Sequence, residues 1–209
     1  MDQQSDHLKS LADIKVMMER STRFVSLSGF SGICIGLVAL AGAVFAYLRT
    51  NSLSLGIAGY EHTGSLFQYS EFRYLMAVAL GTLLLSLFFG YYFTNRRARK
   101  EQQPVWNGAA RRLTANLLIP LVAGGLFTLL LMVQGALEMV VPSLLVFYGL
   151  ALINGSKYTL EDVRYLGLME VGIGLVAGFV ASHGILFWAI GFGLLHIIYG
   201  VWMYWKYER

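Results

Sequence analysis

The chain has 209 residues, a formal net charge of +4 and a pI near 9.2; 56% of its residues are hydrophobic and only 13% are charged. That charged share is about half the usual one, and a single soluble core of this size has no room for so much apolar surface, which excludes a soluble fold. The cationic surplus does not mark a nucleic-acid binder either, because Lys and Arg are sorted by segment along the chain, as membrane insertion requires.

In residues 5–28, Leu8, Leu11, Ile14 and Met18 recur at helical spacing, and Lys15 can pair with Glu19 four residues on. An amphipathic helix lying at the membrane interface is expected there. Asp2, Asp6, Asp13 and Glu19 precede the first apolar run, unlike the short basic start of a cleavable leader, so the first span is expected to be retained.

Six segments then match the roughly 20 apolar residues that cross a bilayer. They run over Phe30–Leu48, Tyr74–Phe93, Ala115–Gln134, Leu137–Ile153, Val163–Ser182 and Ile185–Trp205. Inside lipid every backbone N–H must be bonded within its own segment, so each is read as a helix. The expected fold is an all-α, polytopic membrane helix bundle with six transmembrane helices. Its parts are an amphipathic lead-in over 1–29, a transmembrane domain over 30–205 and a tail over 206–209. Pro120 and Pro142 fall early in the third and fourth spans, where a proline frees carbonyls that need neighbours. Connections near Gly135–Ala136 and His183–Gly184 are very short, which makes the third and fourth spans, and the fifth and sixth, antiparallel hairpins.

Fourteen of the sixteen Lys and Arg residues fall on the N-terminus, the second and fourth connections and the C-terminus. The densest group is Arg96, Arg97, Arg99, Lys100, Arg111 and Arg112, a basic patch. Arg49 and Arg73 alone fall on the other side. The positive-inside rule predicts both termini on the cytoplasmic side of the membrane. Tyr91, Tyr92 and Phe93, and Trp202, Tyr204, Trp205 and Tyr207, end spans at that same surface, as an aromatic belt does.

Membrane helices associate through small residues. Gly32 and Gly36 in the first span, Gly174 and Gly178 in the fifth, and Gly193 and Gly200 in the sixth lie on such faces. The tight turn between the last two spans predicts that their small faces pack on each other. The first span's face is expected to meet another span or a second copy.

Two ionisable residues fall deep in the hydrocarbon. Glu170 lies 13 residues before His183 and His196 lies 13 after it, so both sit about 20 Å from the turn, at one depth. A candidate intramembrane polar pair follows, since an unpaired charge there costs at least ~2.5 kcal/mol. Asn116, Thr128 and Gln134, with Glu138 and Tyr148, are candidate interior polar residues.

No HExxH, GxSxG, Walker or CxxC motif is present, and no cofactor, metal site or catalytic residue is expected. The sequence points first to a non-catalytic membrane subunit, regulator or sensor working through helix and cytoplasmic contacts. Its second reading is a small secondary transporter or proton-coupled carrier using Glu170 and His196. Expected partners are membrane lipid and a second copy or another membrane subunit, with no nucleic acid. The stretch DIKVMMERSTRFVSLSGFSGICIGLVAL at residues 13–40 resembles the start of small uncharacterised bacterial membrane proteins. The resemblance implies a bacterial cytoplasmic membrane and no activity.

Overall fold

Long runs of Leu, Val, Ala, Phe and Gly without intervening polar breaks give an all-helical chain. The structure, a computed structural model, describes residues 23–24, 27–52, 70–100, 102, 104 and 106–209. The amphipathic helix expected over 5–28 and the connection between Arg49 and Arg73 fall largely outside the described residues.

The helices are α1 (Gly29–Thr50), α2 (Ser70–Lys100), α3 (Gly108–Val133), α4 (Val140–Gly155), α5 (Asp162–Phe179) and α6 (Gly184–Tyr207). Short 3-10 turns flank α4 on both sides, at Leu137–Met139 and Ser156–Tyr158. Five are long and apolar enough to cross a membrane: α1, α2, α3, the run Leu137–Tyr158 around α4, and α6. The 18 residues of α5 carry Asp162, Arg164 and Glu170, which sets it apart. At 1.5 Å per residue the 22 residues of α1 reach about 33 Å, one hydrocarbon thickness.

Several helices outlast their apolar runs at the basic end. Helix α2 continues through Asn95, Arg96, Arg97 and Arg99 to Lys100, because residues of good helix propensity keep the backbone bonded after the greasy stretch stops. Helix α3 begins at Gly108, where the Asn107 side chain accepts from Ala110 N at 2.8 Å as an N-cap. Pro120 therefore stands in the middle of α3 rather than near its start.

Helices consecutive in the chain run antiparallel, and α4 and α6, which meet through Tyr148 and His196, run parallel. The start of α1, the ends of α2, α4 and α6 and the starts of α3 and α5 meet at one end of the bundle. Contacts there tie Phe24 N to Tyr158 O at 2.7 Å, Thr159 Oγ1 to Phe24 O at 2.6 Å, Arg97 to Glu208 at 3.1 Å and Lys206 to Asp162 at 2.8 Å. At the other end Arg49 reaches Ser70 and Tyr74 reaches the Phe45 carbonyl.

Close helix contacts follow the glycines, but not in the pairing that the short turn suggested. The small face of α6 packs on α1. A methyl group on Gly200 would lie 2.6 Å from Ile33 N and 2.7 Å from Gly29 O, and one on Gly36 would lie 2.5 Å from Gly193 O. The small face of α5 packs on α4, where a methyl on Gly167 would lie 2.7 Å from Gly149 O and one on Gly174 would lie 2.8 Å from the Val146 side chain. Gly32 belongs to the first contact; Gly178 stands at the edge of the second, against Pro142. A turn fixes which helices are neighbours but not which face each offers, and α5 and α6 each have a second face carrying larger side chains. Those second faces meet each other. Helices α2 and α3 are peripheral, with few buried residues, and Leu48, Ile119, Val133 and Phe179 stand exposed as lipid-facing residues would.

Candidate functional site

The seam between α5 and α6 is built from residues four apart on α5, namely Asp162, Leu166 and Glu170. Across from them on α6 stand His196, Tyr199, Met203 and Lys206, which share a face at steps of three and four. Glu170, at 0% exposure, and His196, at 4%, are the buried ionisable side chains of the described core. The structure brings them together: His196 Nδ1 lies 3.4 Å from Glu170 Oε1.

Local backbone geometry positions the histidine. Residues Ala189–Leu195 of α6 form a π-helical segment between two α-helical ones. Gly191 and Gly193 lie inside it, and glycine gives the backbone the freedom to widen. The widened turn offers the Gly191 carbonyl to the side chain five residues on, and His196 Nδ1 sits 3.1 Å from it. Gly191 also leaves the space that the carboxylate occupies, since a methyl group there would lie 2.8 Å from Glu170 Oε2 and 2.4 Å from Leu145.

Hydrogen-bond chemistry then assigns the ring. A carbonyl oxygen only accepts, so Nδ1 carries a proton and donates it to Gly191 O. Tyr148 Oη, from α4, lies 2.7 Å from Nε2, and its hydroxyl donates to the neutral ring. The Tyr148 ring also stacks beside the imidazole at 5.4 Å, and Phe192 packs against both rings, 5.3 Å from Tyr148 and 6.4 Å from the imidazole. The histidine is thus satisfied on both nitrogens. Glu170 is not: neither of its oxygens has a hydrogen-bond partner among the described residues. At 3.4 Å, with the Nδ1 proton aimed at Gly191, the imidazole is a close electrostatic neighbour of the carboxyl group rather than its hydrogen-bond donor. The Tyr199 hydroxyl, one turn beyond His196, is buried without a partner as well.

At the water-facing end of the same seam Asp162 accepts from Lys206 Nζ at 2.8 Å and from the Tyr207 hydroxyl at 2.6 Å. Burial pushes its carboxyl group up, but hydrogen bonds from Lys206 and Tyr207 outweigh this and hold it below the ordinary aspartate range.

Other candidate polar residues do not gather with Tyr148. Asn116 accepts from Asn154 at 3.2 Å through its side chain and at 2.9 Å through its carbonyl, linking α3 to α4. Thr128 is buried with its hydroxyl unpartnered, while Gln134 and Glu138 are exposed at the far end. The three do not line one cleft, because Thr128 stands about 120° around α3 from Asn116 and Gln134 lies past the helix end. Of the basic patch, Arg96, Arg99, Lys100, Arg111 and Arg112 are exposed, whereas Arg97 is half-buried against Glu208, Tyr207 O and Leu27 O. Among the described residues no three His, Cys, Asp or Glu side chains gather as metal ligands would.

A cavity of about 110 Å³, lined by apolar side chains that include Ala43, Met76, Val141 and Leu144, lies toward the Arg49 end. Trp188 forms part of its wall and packs edge-on against Phe192, which separates it from the polar site. Compared with protein-family models, with curated proteins and with solved structures, the chain has no significant match.

Proposed function

We propose that this chain is a six-span integral membrane protein, both termini cytoplasmic, in which Glu170 takes up and releases a proton to drive a small proton-coupled carrier. The observation that carries the reading is the Glu170 carboxyl group: fully buried, donor-less and 3.4 Å from His196. A structural clasp would place a hydrogen bond on those oxygens, because an unsatisfied buried polar group is costly. A site that must exchange a proton leaves them poised instead. Buried ionisable groups in membrane helices mark ion and proton pathways, and π-segments recur at functional sites.

Topology is supported by the clustering of helix ends that carry Arg23, Arg96–Lys100, Arg111, Arg112, Lys157, Arg164 and Lys206 at one end of the bundle. Helix α5 crosses as the fifth span with Glu170 sheltered from lipid by α4 and α6. The glycine faces of α1, α5 and α6, which favoured a subunit at the level of sequence, are occupied inside the chain and so lend the subunit reading no further support.

The test is reconstitution in liposomes with a pH-sensitive dye, together with infrared difference spectra across a pH step. Expected are proton flux and a protonated-carboxyl band that both disappear in E170Q while the variant still folds. A folded E170Q with unchanged flux and an unchanged band would reduce Glu170 to a packing residue.

A further inference from the structure

At the basic end of the bundle the start of α1 and the ends of α2 and α6 enclose a cavity of about 430 Å³. Its wall carries Arg96, Arg97 and Lys100 from α2 and Glu208 from the end of α6. Glu208 is already engaged. It accepts from the backbone N–H of Gly29, from Ser28 Oγ at 3.4 Å and from Arg97 at 3.1 Å, so it caps the start of α1 and neutralises Arg97. That leaves Arg96 and Lys100, four residues apart on one helix face, both exposed and with no acidic partner among the described residues. Like charges at that spacing repel each other in an isolated helix.

The remainder of the cavity is aromatic. Phe30 and Phe93 meet edge-to-face at 4.9 Å on its floor, and Tyr204 and Tyr207 stand at its side. Outside it, the α2 surface is aromatic: Phe89 stacks on Phe93, Phe88 stacks on Tyr92, and Phe88 meets Phe89 edge-on. Two unmatched cations above an aromatic floor, opening onto an apolar helix surface, match an anionic phosphodiester attached to hydrocarbon chains. A soluble anion would have no use for the apolar run, and an acidic peptide would need a longer cationic track than two residues.

We infer that this cavity binds the phosphate of an anionic membrane phospholipid, with Arg96 and Lys100 holding the phosphodiester and the acyl chains lying along α2. Such basic pockets between membrane helices suit headgroups. The site lies apart from Glu170 and shares only Tyr207 with the water-facing end of that seam.

The test uses the full chain in nanodiscs of phosphatidylcholine with and without phosphatidylglycerol. Phosphatidylglycerol should raise the unfolding temperature of the wild type, and R96Q/K100Q should lose most of that rise while melting normally in phosphatidylcholine alone. The control R111Q/R112Q, which removes two cations elsewhere on the same end, should keep it. Native mass spectrometry of the wild type should retain phosphatidylglycerol adducts in preference to phosphatidylcholine. An equal rise in R96Q/K100Q, no preference among retained lipids, or the same rise from inorganic phosphate added to phosphatidylcholine discs would each overturn the assignment.

Discussion

Tyr148 and Gly191 decide what Glu170 and His196 can do. The Tyr148 hydroxyl fixes which ring nitrogen of His196 is bare, and the absence of a side chain at Gly191 admits the carboxyl group. Y148F should remove one interhelical hydrogen bond, costing about 1 kcal/mol in detergent unfolding, without displacing Glu170. G191A should cost more and also abolish the infrared carboxyl signature, because its methyl group would occupy the place of Oε2; a wild-type spectrum from G191A would contradict that geometry. The depth of Glu170 and His196 is legible in sequence, since residues can be counted from a turn at a fixed rise. Tyr148 reads as an interior polar residue, but its pairing with His196 does not, and Tyr199 is missed, because a tyrosine's partner stays hidden until its neighbouring helix is known. Gly191 is hidden for a different reason: among 23 glycines, nothing in the one-dimensional pattern tells a glycine that faces a carboxylate from one that faces a backbone.

At the scale of elements, the six apolar runs translate into helices with ends shifted by a few residues, and the antiparallel order follows from the short connections. The face pairing does not follow, because glycine stripes state that a close contact exists without naming the partner. Three expectations belong here. G200A should destabilise the α1–α6 contact by about 1–3 kcal/mol, as overpacking does, and a melt in detergent measures it. Deleting Ile190 should convert the π-segment to regular α-helix, leaving His196 facing the seam because one residue fewer compensates for the wider turn, but ending the Nδ1 hydrogen bond to the Gly191 carbonyl. Retention of pH-dependent flux in that deletion would show that the π-turn is incidental. At the open end of the seam, Asp162 has a folded-state value below its ordinary one, so its contribution is present at neutral pH and lost as pH falls through that depressed value. Melting temperature should therefore drop on the acid side in the wild type and less steeply in D162N. The π-turn itself leaves no trace in hydrophobic periodicity, which is why no reading of spacing finds it.

For the whole molecule, the asymmetric distribution of Lys and Arg is the feature most visible in sequence, and the contacts between helix ends give it a physical place. Single cysteines introduced at Lys157 and at Gln134 should label with an impermeant reagent from opposite sides of the membrane; labelling from one side would refute the alternating arrangement. The glycine contacts divide the bundle into two closely packed pairs, α1 with α6 and α4 with α5, in which backbone approaches the facing helix at several glycines. Glu170 hangs from one pair and His196 from the other. Under the proton exchange proposed for Glu170, adding or withdrawing one proton would act on the boundary between two stiff blades, like a catch between the leaves of a folding screen. A small local change in charge would be delivered along the full height of the protein as a change in the angle between them.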